Sequence, residues 1–215
     1  MTKKTLTVLH FNPAQKTMEP REYQVPSPPG ATVLQALQYI YEELDPTLAF
    51  RYGCRFDRCG LCGVMADGKP RLACKTKLAT TAQVAPLAGL PLLRGLAVDR
   101  VAYMEPLSNL NLYPQGRDTE PLGQLHEDPL HKNLMHCLEC LCCVASCPEY
   151  KDHEASFGGP FPFVKLAQLH LDPRDETDRR AQAKSMGLDK CSECVKCTCP
   201  NGIHLHKAIS ALQCK

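Results

Sequence analysis

Apolar and polar residues alternate along the first part of this chain in the way that β-strands require. Leu6 to Phe11 alternate, Asn12-Pro13 ends the run, and Arg21 to Val25 can return as a second strand, so an opening hairpin is predicted. Thr32 to Leu44 instead has the apolar spacing of an amphipathic helix, and Thr32 and Gln35 are placed as a capping box.

Strand signals resume after this helix and continue to about residue 101. The pair Val64-Met65 and the strand Arg71 to Cys74 flank the turn signal Asp67-Gly68. Thr81 to Val101 offers a last strand followed by a proline-interrupted crossing. Two strands, a helix and further strands predict a small mixed sheet.

A change of pattern marks the middle of the chain. Tyr103 to Asp128 is rich in Pro, Asn and Gly and has weak periodicity, as in a linker. Since 215 residues exceed what one small domain needs, we predict two domains, residues 1–120 and residues 121–215, with the boundary near Pro121.

Helical signals dominate the second domain. Phe163 to Leu171 is apolar on one side, Asp175 to Met186 ends before Gly187 in the C′ position, and Ile203 to Leu212 is amphipathic. The second domain is therefore predicted to be mostly helix, packed around cysteine-rich loops.

Composition argues against two kinds of partner. A net charge of +2 gives no basic surplus of the kind that binds phosphate backbones. The chain also has no Trp and only 6% aromatic residues, so nucleic acid is not expected as a partner. No run approaches the roughly 20 apolar residues of a membrane helix, since Leu87 to Val98 is interrupted by Pro91 and Arg94. The chain is expected to have no membrane span of its own.

Cysteine carries the candidate chemistry, with fourteen residues of this type in the chain. All except Cys142 and Cys214 fall into three groups: Cys54, Cys59, Cys62 and Cys74; Cys137, Cys140, Cys143 and Cys147; and Cys191, Cys194, Cys197 and Cys199. The first group has four, two and eleven residues between its members, which is the plant-type spacing for a 2Fe-2S cluster. Cys142 is predicted to be a small buried apolar residue, and Cys214 a free terminal thiol.

The second and third groups nearly repeat each other, and both end in Cys-Pro, as in a two-cluster ferredoxin. A triplet at two-residue intervals wraps three corners of a cubane, and the fourth ligand then comes from the other group. One predicted 4Fe-4S cluster uses Cys137, Cys140, Cys143 and Cys199, and the other uses Cys147, Cys191, Cys194 and Cys197. The third group is two residues shorter than the ferredoxin pattern, so the exchange of Cys199 is less firmly specified than that of Cys147.

Two other uses of cysteine compete with iron-sulfur clusters. Structural zinc sites also use paired cysteines, but triplets and Cys-Pro endings are features of ferredoxins. Disulfides would suit a secreted protein, but residues 1–5 lead into a strand and not into an apolar signal segment. Clusters are normally held in reducing compartments, so a cytoplasmic location is expected.

Together these patterns predict an α+β chain. Its N-terminal domain is expected to be a plant-type ferredoxin-like β-grasp domain that binds the 2Fe-2S cluster. Its second domain is expected to be all-α and to resemble a two-cluster, alpha-helical ferredoxin that binds the two cubane-type clusters.

Several motifs resemble the iron-sulfur subunit of succinate dehydrogenase and fumarate reductase, over nearly the whole chain. They are Tyr52-Gly53-Cys54-Arg55, Cys59-Gly60, residues 137–143, Cys147-Pro148, residues 159–175 and Cys199-Pro200-Asn201-Gly202-Ile203. The resemblance implies an electron-transfer subunit of an oxidoreductase complex, with no catalytic residue of its own, because bond chemistry belongs to the flavin.

The same resemblance implies partners. Single electrons would pass between FAD in a flavoprotein subunit and a quinone or other acceptor, through the three clusters of this chain. A membrane-anchor subunit or another electron-acceptor subunit would be the second partner. Such partners would hold a cytoplasmic protein on the inner face of the cytoplasmic membrane.

Three departures from the family pattern concern the clusters and the acceptor. The third cluster of the family is usually 3Fe-4S because the position of Cys194 is not cysteine, so 4Fe-4S is predicted here, with 3Fe-4S as the alternative. Quinone-reactive members carry Trp and His where this chain has residues near Asp152 and Ser192, which argues against a quinone site of the usual kind. The alternative function is therefore the same relay serving a different flavoprotein or a thiol- or heterodisulfide-linked reductase. Asp57 also replaces a Gly that is usual in the first loop.

Overall fold

The computed structural model describes residues 2–116, 127–150 and 157–213. These residues form two compact units, of which the first comprises Met1–Arg100 with Leu138–Ser146 and the second comprises Val101–Cys137 with Cys147–Lys215. The predicted α+β class is confirmed, because the first unit contains a sheet and the second is mostly helical. None of the helices in these ranges combines the length and the hydrophobicity that crossing a bilayer requires.

The first unit is built on a five-stranded sheet with the order β2-β1-β5-β3-β4. Its strands are β1 (Lys3–Asn12), β2 (Thr17–Pro26), β3 (Gly63–Ala66), β4 (Lys69–Leu72) and β5 (Gln83–Ala85). β1 and β2 form the predicted hairpin, extended at both ends, and β1 pairs parallel with β5. Leu6, Val8 and His10 alternate along β1 as buried residues that face the core. A second, two-stranded sheet pairs β6 (Leu92–Arg94) with β7 (Ala97–Val98).

A helix packs against this sheet where the sequence predicts it. α1 (Val33–Tyr39) begins after Thr32, and Thr32 and Gln35 form the predicted capping box. A π-helical turn, Ile40–Leu44, continues the helix to Asp45. Four of the seven α1 residues, Val33, Leu34, Ala36 and Leu37, are buried, so this amphipathic helix covers one face of the core.

The second unit consists of helices around α5. Chain order gives α2 (Arg100–Met104), α3 (Pro129–Met135), α4 (Cys142–Ala145), α5 (Pro160–His170), α6 (Arg179–Ser185) and α7 (Leu205–Gln213). Of these, α4 belongs to the first unit, and so does Arg100, the first residue of α2. α5 contacts α3, α6 and α7, and nearly all of its side chains are buried. The predicted helices at 163–171 and 203–212 are present within a few residues. The helix predicted from Asp175 begins later, at Arg179, and ends as predicted before Gly187, whose φ is +78°.

The predicted domain boundary near Pro121 lies outside the described residues. The short segment Leu138–Ser146 groups with the sheet unit, although it follows that part of the sequence by many residues. Its helix α4 contacts β4. The cysteines of this segment are therefore held by the first unit.

Candidate metal centres

The cysteines of the first group meet where β3 and β4 pair. Gly63 lies opposite Leu72 in this antiparallel pair, and the Ala73 N–H donates to Cys62 O over 2.9 Å. This pairing brings Cys62, just before β3, beside Cys74, just after β4. Burial raises the pKa of Cys62 to about 12, and the neighbouring thiols of Cys74 and Cys59 act in the same direction.

Backbone donors of the same loop point at its sulfurs. The Arg58 N–H donates to Cys54 Sγ over 3.2 Å, and the Cys54 N–H donates to Cys59 Sγ over 3.5 Å. Desolvation raises the pKa of Cys54, but hydrogen bonds from the Arg58, Phe56 and Cys59 N–H groups and from the Cys59 side chain outweigh it and lower the pKa to about 7. Such donors favour the thiolate that a metal centre requires.

The loop curls through left-handed backbone at two residues that are not glycine. Arg55 has φ +67° and Asp57 has φ +53°. Left-handed backbone favours glycine, so Asp57 takes a conformation that is less favourable for a residue with a Cβ atom. The Asp57 carboxylate forms an exposed ion pair with Lys75, over 3.1 Å.

Gly60 allows this loop to touch the segment of the second cysteine group. Its φ is +68°, and a Cβ atom there would lie 2.2 Å from Leu138 O and 3.1 Å from Cys140 Cβ. Gly63 is also close, because its Cβ would lie 3.0 Å from Cys140 O. Glycine at these two positions lets the first loop and the Cys140 segment approach backbone to backbone within one unit.

The predicted ligands of the third cluster lie together in the second unit. Burial raises the pKa of Cys191 to about 12, and the thiols of Cys147, Cys197 and Cys194 raise it as well. Burial likewise raises the pKa of Cys197 to about 11, with contributions from Cys147 and Cys194. These mutual effects show that the four thiols lie near one another in the second unit, and their assignment to one cluster remains a prediction.

The other predicted cubane set is divided between the units. Cys140 and Cys143 are buried in the first unit, whereas Cys137 and Cys199 belong to the second. Within the second unit, Asn201 links Cys199 to the residue before Cys137, because its N–H donates to Cys199 Sγ over 3.4 Å and its side-chain amide donates to His136 O over 2.9 Å. The complete set remains a prediction.

The surroundings of Cys140 contain two groups that sequence reasoning missed as neighbours of a ligand. Cys142 is fully buried, its Sγ lies 3.7 Å from Arg71 O, and a hydrogen bond from its thiol lowers the pKa of Cys140 to about 7. The Arg100 guanidinium donates to Glu139 O over 2.5 Å. Arg100 is distant from the cysteine motifs in sequence, so no spacing signal marks it.

Within the described ranges, no group of three or more His, Cys, Asp or Glu side chains surrounds a point closely enough to hold one metal ion. A single zinc ion needs its ligands about 2.0–2.3 Å from one centre, whereas a cluster spaces its cysteines around several irons.

The chain is similar to several known proteins over most of its length. It is 33% identical over 202 residues to the fumarate reductase iron-sulfur subunit of Haemophilus influenzae, covering 84% of this chain and 77% of that protein. It is 32% identical over 203 residues to a fumarate reductase (CoM/CoB) subunit of Methanothermobacter marburgensis, covering 92% of this chain and 41% of that protein. A chain in the solved Mycobacterium smegmatis Sdh1 complex in the apo form matches with a TM-score of 0.87 and 25% identity, covering 98% of this chain and 94% of that one.

Two domain families also match. The 2Fe-2S iron-sulfur cluster binding domain matches residues 5–105, and the 4Fe-4S dicluster domain matches residues 136–204. The fold, the cysteine groups and these matches define an iron-sulfur protein with a 2Fe-2S domain and a dicluster domain. The chain belongs to the family of fumarate reductase and succinate dehydrogenase iron-sulfur subunits. It spans less than half the length of several curated relatives, with 43, 42 and 41% for three of them.

Proposed function

We propose that this chain relays single electrons between FAD in a partner flavoprotein subunit and an acceptor, within a complex of the succinate dehydrogenase or fumarate reductase type. The observation that carries this proposal is the grouping of buried and partly buried cysteines in each unit, with backbone N–H donors directed at the sulfurs of the first group. When bound, iron-sulfur clusters supply one-electron oxidation and reduction. The substrate chemistry would belong to the partner.

The cofactors follow from the ligand sets. We assign Cys54, Cys59, Cys62 and Cys74 to a 2Fe-2S cluster, Cys137, Cys140, Cys143 and Cys199 to a 4Fe-4S cluster, and Cys147, Cys191, Cys194 and Cys197 to a second 4Fe-4S cluster. The donor chemistry fits, because each set offers four thiols. In the first and third sets, burial or hydrogen bonding shifts the pKa values of Cys54, Cys62 and Cys191, and neighbouring thiols contribute to these shifts.

The finer fold and the location belong to the same proposal. The mixed sheet with one covering helix supports a plant-type ferredoxin-like β-grasp domain, and the helical unit with repeated Cys-Pro groups supports a two-cluster ferredoxin type. We place the protein in the cytoplasm, held at the inner face of the cytoplasmic membrane by a membrane-anchor or other acceptor subunit.

The test begins with anaerobic purification of the chain together with the proteins that accompany it. Partner subunits should include a flavoprotein, and succinate should reduce a dye through the complex. Electron paramagnetic resonance after dithionite reduction should show one 2Fe-2S signal and interacting cubane signals. A colourless protein without labile sulfide would refute the proposal.

A second candidate is the same relay serving a thiol- or heterodisulfide-linked reductase. The name of the Methanothermobacter relative joins fumarate reductase with CoM/CoB, and the full cysteine set that includes Cys194 supports an unusual acceptor side. This candidate is distinguished by the reductant: dithiols, and not succinate, should then reduce the clusters of the purified complex.

A further inference from the structure

Arg100 occupies a special position beside the second cysteine group. It is the first residue of α2 and lies in the first unit, together with Glu139 and Cys140. Its guanidinium donates to Glu139 O over 2.5 Å, and Glu139 immediately precedes Cys140. The guanidinium cation is therefore hydrogen-bonded to the backbone of the residue that precedes Cys140.

The surroundings of Arg100 are partly desolvated. Burial lowers the pKa of Arg100, while the charges of Cys140 and Glu139 raise it and that of Arg51 lowers it. Arginine nevertheless stays protonated in proteins. A positive charge in such surroundings acts strongly on nearby groups, because solvent screens it less than at the surface.

We propose that Arg100 is a positioning residue that raises the reduction potential of the cluster to which Cys140 contributes. The inference rests on the proposed function and concerns a residue outside the ligand sets. A cluster becomes more negative when it gains an electron, so a fixed cation stabilises the reduced form more than the oxidised form.

Arg100 also supports the backbone around Cys140. Glu139 has φ +54° and Leu141 has φ +62°, so Cys140 lies between two residues in left-handed backbone. Such residues persist only when their surroundings hold them. The hydrogen bond to Glu139 O supplies one such constraint, so Arg100 contributes both charge and geometry.

The test is a redox titration of the purified complex, followed by electron paramagnetic resonance. Arg100→Gln keeps an N–H donor and removes the charge, and we expect the cubane signal to titrate at a more negative potential. Arg100→Lys keeps the charge and should titrate close to the wild type. Arg94→Met, which removes an exposed arginine of the same unit, should leave the potential unchanged.

Two results would overturn the inference. One is an unchanged potential in Arg100→Gln at wild-type iron content. The other is loss of the cubane signal in both Arg100→Gln and Arg100→Lys. That result would show that the shape of the guanidinium group, and not its charge, is needed. A wild-type protein without cubane signals would instead refute the proposed function, which separates the two failures.

Discussion

Gly60 leaves no room for a side chain at the contact between the first loop and the Cys140 segment. A Cβ would lie 2.2 Å from the carbonyl oxygen of Leu138, and the backbone is left-handed, with φ +68°. We predict that Gly60→Ala destabilises the protein by more than the roughly 1–3 kcal/mol of backbone strain. The measurement is anaerobic heating followed by the visible absorbance of the clusters. The variant should lose this absorbance at a lower temperature than the wild type.

Gly68 provides the matched control. It also has left-handed backbone, with φ +73°, but a Cβ there would have no atom within 4 Å. Gly68→Ala should therefore cost only about 1–2 kcal/mol for the left-handed conformation. Equal melting temperatures for the two variants would contradict the close approach at Gly60.

Cys142 lies next to the proposed ligand Cys143 in sequence, and its substitution tests whether it is itself a ligand. Its side chain is fully buried and its Sγ lies 3.7 Å from Arg71 O, but it lies outside the proposed ligand sets. We predict that Cys142→Ala keeps the full iron content and costs about 1–2 kcal/mol, from one hydrogen bond and a small cavity. Iron analysis with a thermal melt checks both points.

Cys143→Ala is the comparison for Cys142, because both are buried in α4. It should lower the iron content, since it removes a proposed ligand. If Cys142→Ala lost iron to the same extent, the assignment of Cys142 as a residue outside the ligand sets would be wrong.

Sequence distance decides which residue-level features could be foreseen. The capping box of Thr32 and Gln35 was predictable because both partners lie within one helical turn. The contact of Gly60 with Leu138 was not, because its partners are remote in sequence and backbone approach leaves no mark on residue type other than glycine.

At the scale of elements, Arg179, the first residue of α6, hydrogen-bonds to residues 110–113 of the second unit. Arg179 is fully buried, and its Nε donates to Asp175 Oδ2 over 2.5 Å. The same guanidinium donates to Leu110 O and Asn111 O, both over 3.2 Å, and to Tyr113 O over 2.8 Å. One cation thus satisfies a carboxylate and three carbonyls.

We predict that Arg179→Met destabilises the protein by about 3–5 kcal/mol, because it leaves Asp175 as a buried charge without its partner. The apparent melting temperature should fall accordingly. Lys184→Met, on the exposed side of the same helix, should change stability by no more than about 0.5 kcal/mol. Similar melting temperatures for the two variants would refute the role of Arg179.

The same network explains why α6 begins later than the pattern predicts. Helical periodicity starts at Asp175, but this carboxylate accepts from Gln115 N and Arg179. Asp178 then caps the helix by accepting from Ala181 N over 3.0 Å. The partner at Gln115 is distant in sequence, so periodicity alone could not place the first residue of α6.

Asp45, which follows the π-helical turn, ties it to β2. Its Oδ2 accepts from Tyr23 Oη over 2.6 Å and from Arg21 Nη1 over 3.1 Å. Desolvation raises the pKa of Asp45, but hydrogen bonds from Thr47, Tyr23 and Arg21 outweigh it and hold the pKa well below its usual range.

A depressed pKa fixes the sign of the acid dependence. The stabilisation from Asp45 is fully present above its unfolded pKa of about 4 and is lost as the pH falls through the folded value. Asp45→Asn should therefore melt below the wild type at neutral pH, and the difference should shrink below about pH 4. Melting curves at several pH values check this, and a constant difference would contradict it.

At the scale of the whole molecule, the sequence predicts the class of each part better than its assembly. Strand alternation and helical spacing indicate the α+β class, because both are local patterns. The membership of Leu138–Ser146 in the sheet unit was not foreseen, since it depends on Arg100 and Arg71 contacting residues far along the chain. A division into contiguous stretches cannot represent such a unit.

Cys194 decides the character of the third centre and so of the acceptor side. With four thiols in this set, we predict about ten irons per chain and no oxidised 3Fe-4S signal in the protein as isolated. Cys194→Ala leaves one corner without a protein ligand, so it should hold about one iron fewer and show that signal.

Cys142→Ala, which removes a thiol outside the set, is the control and should keep the wild-type signal. Iron analysis and electron paramagnetic resonance of the three proteins decide the question. A wild type with about nine irons and an oxidised 3Fe-4S signal would make Cys194 a bystander and remove the main support for an unusual acceptor, because the third centre would then have the ordinary composition of the family.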